Sequence, residues 1–355
     1  MHIFIIPSSV WKKRDAMRRR LEDWLNRIWY GEHKPPVWLQ ALMPLYRLGF
    51  LLHRKYQIAR RPPGLVGRAI LVVGNITAGG SGKTPLVIRL CHVLLQSGLK
   101  PGVISRGYGR KGHGLVWVTP ESNAGVTGDE PLLIARRTGV PVVVAADRCA
   151  AAQILFESGV DVVIADDGLQ NHRLPRSLEV CVVDGEREFG NGLTLPAGPL
   201  REPLERLREV DYVVVNGDEL AASGLPDAVR MHLVPGLLYA LDDDETWRLT
   251  QFAGCRVNAV AGIGNPERFF KSLQQAGLHV APYVFADHHV FTAGDFGQMQ
   301  AALPIIMTEK DAVKCRGMKL QNAWYLAVEA SLPSSFESGL VARLHSSLAP
   351  GGNEF

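Results

Sequence analysis

The sequence predicts an α/β protein. Its parts are a doubly wound, mostly parallel sheet built around a P-loop, a second and smaller α/β domain, and helices ahead of both. Three observations carry this. The β-branched run Ile70–Val73 enters a Gly-rich turn and leaves it as a helical pattern. Short apolar runs then alternate with helical stretches up to Val215, as a parallel sheet covered on both faces requires. Near residue 230 the pattern breaks and restarts. The expected divisions are 1–16 as an upstream extension, 17–62 as N-terminal membrane-interface helices, 63–230 as the P-loop domain and 231–355 as the smaller C-terminal domain.

The bulk numbers agree with that size. At 355 residues the chain is long for one domain and comfortable for two. An apolar fraction of 46% and a charged fraction of 21% are ordinary for a soluble protein. A net charge of +4 does not call for nucleic acid, and none is expected as a partner. The five cysteines are odd in number, scattered and without a C-x-x-C, which points to reduced thiols and not to disulfides or zinc.

Taken in order, Met1–Ile6 is too short an apolar run for a signal peptide or a spanning helix. Met17 opens a basic stretch, and translation is expected to start there. Residues 21–61 read as helices rich in Trp, Leu and basic side chains. Pro44 and Arg47 interrupt the best candidate for a membrane span. Two readings stay open: an amphipathic helix lying in a bilayer interface with anionic lipids, or a helix pair packed on the protein's own core.

The first core strand, about 68–73, leads into the phosphate loop Thr77-Ala-Gly79-Gly80-Ser81-Gly82-Lys83-Thr84. Gly79, Gly80 and Gly82 lack a Cβ, so the backbone can take positive φ and turn its N–H groups to an anion. The following helix adds its positive end. Lys83 would reach the β- and γ-phosphates of ATP, and the Thr84 hydroxyl would ligate Mg²⁺. Thr77 stands where the common motif has glycine, and Ala78 where a deviant form has lysine.

A helix is expected over 83–97, with strands at Gly102–Ser105, Val142–Ala145, Val162–Ala165, Val180–Val183 and Tyr212–Val215. Ligands in such a fold sit at the carboxyl ends of the strands. The loop Ser105–Arg110 there offers Arg106 and Tyr108 to an anionic or sugar ligand, or is a solvated turn. Asp129 opens a helix and either caps it or aims into the cleft. Asp166-Asp167 ends an apolar strand, the arrangement that holds Mg²⁺ through a carboxylate. Leu195–Glu202 belongs to a long Gly/Pro-rich loop of the kind a compact domain keeps for a use, and Arg201 and Glu202 are candidate site residues there.

In the second unit, strands are expected at Val257–Gly262, Val280–Phe285, Pro304–Met307 and Trp324–Val328, with a helix opened by Pro266. Asp287-His288 ends a strand and is expected to face a cleft between the units.

Several motifs together resemble one family, the tetraacyldisaccharide 4′-kinases of lipid A biosynthesis, within the P-loop NTPase superfamily. The first unit carries Val73-Gly-Asn-Ile-Thr-Ala-Gly-Gly-Ser-Gly-Lys-Thr-Pro85, Ser105-Arg-Gly-Tyr-Gly109, Gly128-Asp-Glu-Pro131, Asp166-Asp-Gly-Leu-Gln170 with His172-Arg173, and Leu195-Pro-Ala-Gly-Pro-Leu-Arg-Glu202. The second carries Ala261-Gly-Ile-Gly264, Ala286-Asp-His288 and Met307-Thr-Glu-Lys-Asp-Ala-Val-Lys314. The resemblance spans about residues 20–330. It implies ATP- and Mg²⁺-dependent phosphorylation of the 4′-hydroxyl of an acylated glucosamine disaccharide 1-phosphate, at the cytoplasmic face of the bacterial inner membrane, by a peripheral or monotopic protein. It implies Asp129 as the proton acceptor with His288 paired to it, metal ligation by Thr84, Asp166 and Asp167, and substrate contacts at Arg106, Tyr108, Gln170, Arg201 and Glu202. His289 duplicates the family's single histidine position, and the spacing from Asp287 favours His288. Closure of the two domains is expected to bring Asp129 and His288 together. The rival reading is a nucleotide-driven ATPase switch of the deviant P-loop group. A weaker third is a soluble kinase or ligase for a small metabolite.

Overall fold

The structure, a computed structural model, describes residues 21, 24–31, 33–217, 225, 227–243 and 245–348. The expected extension and start site, residues 1–17, lie outside them. Residues 24–30 are helical and lead to α1, Val37–Ala59. The first half then runs β1 Ile70–Gly74, α2 Lys83–Gln96, β2 Pro101–Ser105, β3 Val116–Val118, α3 Ala124–Thr127, α4 Asp129–Thr138, β4 Val142–Val144, α5 Arg148–Glu157, β5 Val162–Ala165, β6 Leu178–Asp184 and β7 Tyr212–Asn216. The second half runs β8 Val229–Ala240, β9 Thr246–Arg248, β10 Arg256–Ala261, α6 Pro266–Gln275, β11 His279–Val284, α7 Ala293–Phe296, β12 Ile305–Thr308, α8 Glu309–Cys315, β13 Ala323–Ser331 and α9 Ser334–Leu348.

Among the described residues the strands follow one path, β11-β10-β12-β13-β8-β7-β6-β1-β5-β2-β4-β3, with β9 paired to β8. β1 lies between β5 and β6, parallel to both, so the loop after it opens in the middle of the sheet's carboxyl edge. Alternate residues of β1 enter two cores: Leu71 and Val73 pack with Leu86 and Leu90 of α2, and Ile70 and Val72 with Leu155 of α5.

β8 joins the halves. Its first three residues pair parallel with β7, and the rest pairs antiparallel with β13. The expected boundary at 230/231 therefore falls inside a strand. β8 escaped the sequence reading because His232, Pro235 and Gly236 interrupt its apolar pattern. β3 and β9, three residues each, were too short to show a period. The last helix returns to the first half: Phe336, Leu340 and Leu344 of α9 share a core with Leu86, Leu90 and Leu94 of α2, and Glu337 pairs with Arg89 at 2.7 Å.

α1 runs through Pro44 for 23 residues. Among the described residues no helix is long and apolar enough to cross a membrane. Toward the protein α1 packs Leu39 and Met43 against Ile28 and Ala197, and further along it presents hydrogen-bonding groups. Tyr46 Oη donates to the Arg201 carbonyl at 2.8 Å, Gln57 Oε1 accepts from the His172 N–H at 2.7 Å, and Arg54 pairs with Glu209 at 2.8 Å. Away from the protein it exposes Trp38, Leu42, Leu45, Leu48 and Leu52, the last three by 56–66%. Both readings of this segment thus have a face: one side is packed, the other is bare and apolar.

Candidate active site

The phosphate loop takes its shape from the glycines and its position from two neighbours. Gly79 and Gly82 adopt φ of +109° and +89°, where a side chain is strained. A Cβ on Gly82 would also stand 2.3 Å from Asn216 Nδ2, which donates to the Ser81 carbonyl at 3.1 Å. Gly80 does not use positive φ, contrary to expectation. The close approach here is required of Gly264 in the second half, where a Cβ would stand 2.9 Å from the Gly80 N. The loop's entry is held by the Gly/Pro-rich segment: Ala78 N–H donates to the Pro199 carbonyl at 2.8 Å, and Tyr30 Oη donates to the Ala78 carbonyl at 3.0 Å. Those bonds fix Ala78, and a β-bridge to Leu200 fixes Thr77, where the usual motif residues are missing.

Lys83 Nζ lies 3.3 Å from Asp167 Oδ1. Arg201 Nη1 is 3.4 Å from both Asp167 oxygens, and Arg148 Nη1 donates to the Asp167 carbonyl at 2.7 Å. Burial opposes the Asp167 carboxylate, but the charges of Lys83, Arg201 and Arg148 outweigh it and hold its pKa well below the usual range. Asp166 goes the other way. It is fully buried, accepts from Ser105 Oγ at 3.3 Å, and leaves Oδ1 without a partner. Burial, then the charges of Glu130 and Asp167, push its pKa up to about 7. An orphaned carboxylate oxygen beside a phosphate loop fits a divalent cation. Thr84 lies in the first turn of α2, directly after Lys83. Mg²⁺ takes few protein ligands and fills its shell with phosphate and water.

Asp129, at the start of α4, is already paired. His288 Nδ1 lies 3.1 and 3.0 Å from its two oxygens. The expected need for closure to make this pair is corrected: the halves meet here as they stand, because α4 packs on α8 through Arg137–Glu309 at 2.8 Å and Glu130–Lys310 at 2.8 Å. His288 sits at φ +60°, and its own N–H donates to Asp287 Oδ1 at 3.0 Å. Burial opposes the Asp129 carboxylate, but the His288 hydrogen bond and the charges of Lys310 and Lys314 hold it well below the usual range. Burial likewise opposes the His288 cation, and the bond to Asp129 raises its pKa nonetheless. His289 turns to Asp295 at 3.3 Å, between Phe285 and Phe291, and has no part in the pair.

The other expected site residues divide. Tyr108 is exposed with its ring centred 4.9 Å from that of His288, and Arg106 is exposed on the same loop. Arg201 reaches the site through Asp167. Gln170 is an inner brace, donating to the Asn75 carbonyl at 3.0 Å and to Glu202 Oε1 at 2.8 Å. Glu202 is completely buried, 3.3 Å from Arg206 Nε, which corrects its expected role as a substrate contact. It supports Gln170 from below. His172 packs beside it, and burial with the surrounding arginine charges lowers its pKa to about 3, so it is neutral.

Residues that sequence reasoning missed are Arg148, Glu130, Lys310 and Lys314. Arg148 carried a usable signal, because it opens the helix after β4 on the ligand side of the sheet. Lys310 and Lys314 are four apart and so share one helix face.

A family model described as tetraacyldisaccharide-1-P 4′-kinase matches residues 36–345. The tetraacyldisaccharide 4′-kinase of Xanthomonas axonopodis pv. citri is 45% identical over 327 residues, which is 89% of this chain and 94% of that protein. The one from Hahella chejuensis is 46% identical over 330 residues, 91% and 96% respectively. Among solved structures, the "apo" form of LpxK from Aquifex aeolicus in complex with ATP is similar with a TM-score of 0.68 at 25% identity, covering 87% of this chain and 99% of that one.

Proposed function

The chain belongs to the tetraacyldisaccharide 4′-kinase family, and from that premise we propose how its residues divide the transfer of the ATP γ-phosphate to the 4′-hydroxyl of a tetraacyldisaccharide 1-phosphate. The backbone from Thr77 to Gly82 and the Lys83 ammonium hold the phosphates. Thr84, Asp166 and Asp167 hold Mg²⁺, which when bound neutralises charge on the phosphate oxygens. Asp129 accepts the hydroxyl proton, and His288 orients its carboxylate. The cations around Asp129 keep it ionised at neutral pH at some cost in basicity. A loose transition state tolerates a weak base, because the attacking oxygen gains little bond order before the leaving oxygen departs. Arg106 and Tyr108 meet the acceptor at the open side, while Gln170 and Glu202 brace Arg201 behind it.

The observation that carries this reading is the Asp129–His288 pair, with Nδ1 3.0 Å from Oδ2, where α4 and α8 bring the two halves of the chain together. The two α/β units, divided within β8, act as the nucleotide holder and its cover. The bare apolar face of α1 seats the protein on the cytoplasmic face of the inner membrane, where an acylated acceptor resides. Incubation with radiolabelled ATP, Mg²⁺ and a tetraacylated disaccharide 1-phosphate should move label to the lipid. Full-rate ATP hydrolysis without acceptor, and no labelled lipid, would favour a nucleotide switch instead.

A further inference from the structure

Lys310 stands near the start of α8, and its ammonium is one of the points where the two halves meet. Nζ lies 2.8 Å from Glu130 Oε1 of α4 and 3.0 Å from Asp287 Oδ1 just after β11. It is 3.5 Å from His288 Nε2 and 4.0 Å from Asp129 Oδ2. The helix that carries it is rigidly placed. Asp311, wholly buried, accepts from the Gly262 N–H at 2.7 Å and from Thr308 Oγ1 at 2.6 Å, and Lys314 pairs with Asp311 at 2.7 Å.

The arrangement sets up a competition for one imidazole. Asp287 Oδ2 is 3.8 Å from His288 Nε2, while Asp129 Oδ2 is 3.0 Å from Nδ1. The two acids face opposite nitrogens of the ring, and Asp129 has Lys314 at 3.9 Å and Lys310 at 4.0 Å, whereas Asp287 has Lys310 at 3.0 Å. While Lys310 compensates Asp287, that carboxylate has little pull on Nε2, and the imidazole is left to Asp129. A surface lysine pair would matter little, but this side chain is only 16% exposed, and removing one partner of a buried pair leaves uncompensated charge.

We propose that Lys310 is a positioning residue for phosphoryl transfer: by holding Glu130 and Asp287 together it reserves His288 for Asp129 and keeps the pair in register with the nucleotide site. The proposal rests on the reading of Asp129 and His288 given above. It makes a statement that a merely structural lysine would not: removing the competing carboxylate should repair the loss of the lysine.

The test measures kcat, KM for ATP and melting temperature for the full chain and for Lys310→Met, His288→Ala, Lys310→Met/Asp287→Asn and Lys310→Met/His288→Ala. Lys310→Met should lower kcat about a hundredfold, as a misplaced catalytic group does, with KM for ATP within about threefold of wild type. Adding Asp287→Asn should bring kcat back to within about tenfold of wild type, and this variant also restores folding if Lys310→Met alone melts early. Adding His288→Ala should make Lys310→Met little worse than the poorer single variant. A kcat for Lys310→Met within about threefold of wild type, losses that multiply with His288→Ala, or no recovery on adding Asp287→Asn would each overturn the inference. A His288→Ala enzyme with wild-type kcat would sink the catalytic-pair reading and this one with it. An inactive His288→Ala beside an active Lys310→Met would sink only the role of Lys310.

Discussion

Two pairs of adjacent acids sit at the active site, and they are compensated differently. Asp166 and Asp167 draw their cations, Lys83, Arg148 and Arg201, from the first half of the chain. The result is a split pair, one carboxyl pushed up to about 7 and the other held low. Asp129 and Glu130 draw theirs, His288, Lys310 and Lys314, from the second half, with His288 some 159 positions away. The first site therefore draws all its charged groups from one half of the chain. The second exists only where two units touch. Binding of nucleotide and readiness of the base are set by different parts of the molecule.

The largest break in that comparison comes from the self-contained site. Lys83→Ala should cut kcat by roughly a thousandfold, the upper range for a lost charge on the transferring group, and should abolish the rise in melting temperature with MgATP. A folded Lys83→Ala enzyme with near wild-type turnover would end the P-loop reading. Next come the shared-site variants. Asp129→Ala and His288→Ala should each cost kcat roughly a hundredfold or more, with ATP affinity almost unchanged. The double variant should be little worse than the poorer single one. His289→Ala, on its separate Asp295 contact, should stay close to wild type; a greater loss than from His288→Ala would move the role by one residue.

A smaller effect leaves both acid pairs in place. Leu45→Asp or Leu52→Asp, on the bare face of α1, should reduce co-sedimentation with anionic vesicles about tenfold, as loss of one buried leucine predicts. Turnover on detergent-dispersed acceptor should be unaffected. Equal vesicle binding by wild type and both variants would remove the membrane role from this face.

The smallest effect is a pH dependence of stability, and its sign follows from the shared site. His288 is faced by Asp129 from α4, Lys310 from α8, its neighbour Asp287, and the ring of Tyr108. Its raised pKa adds stability that is present below the unfolded value near 6.5 and is lost as pH rises through the folded value. Asp129 is depressed, so its contribution is present above an unfolded value near 3.8 and is lost as pH falls through the lower folded one. The gap in melting temperature between wild type and His288→Ala should thus be widest between about pH 5 and 6 and narrow toward pH 9. A gap that stays constant over that range would mean the two groups do not form an ion pair.

Sequence legibility tracks the same divide. Gly79 to Thr84 and Asp166-Asp167 were readable because each is a contiguous run at a strand end, where local backbone chemistry states the purpose. Asp129 and His288 were readable as partners only through the ordered motifs of the family. No local signal said that they already touch, because that depends on α8 packing against α4. Lys310 and Lys314 stood in a quoted motif without a role for the same reason. Glu202 was misjudged because the burial of a carboxylate depends on Gln170 and Arg206, which meet it from elsewhere in the fold. β8 was invisible because a strand that changes pairing partners partway, with Pro235 and Gly236 inside it, shows neither an alternating nor a continuous apolar pattern.

The return of α9 to the first half bears on how the chain is made. Phe336, Leu340 and Leu344 complete the core over α2, the helix that starts at Lys83. During synthesis the phosphate loop leaves the ribosome some 250 residues ahead of the side chains that seal the core behind it. At about 5–20 residues per second, that leaves the apolar flank of α2 uncovered for roughly ten seconds or more. A truncation at the C-terminus, far from any catalytic group, would be felt first at the nucleotide site.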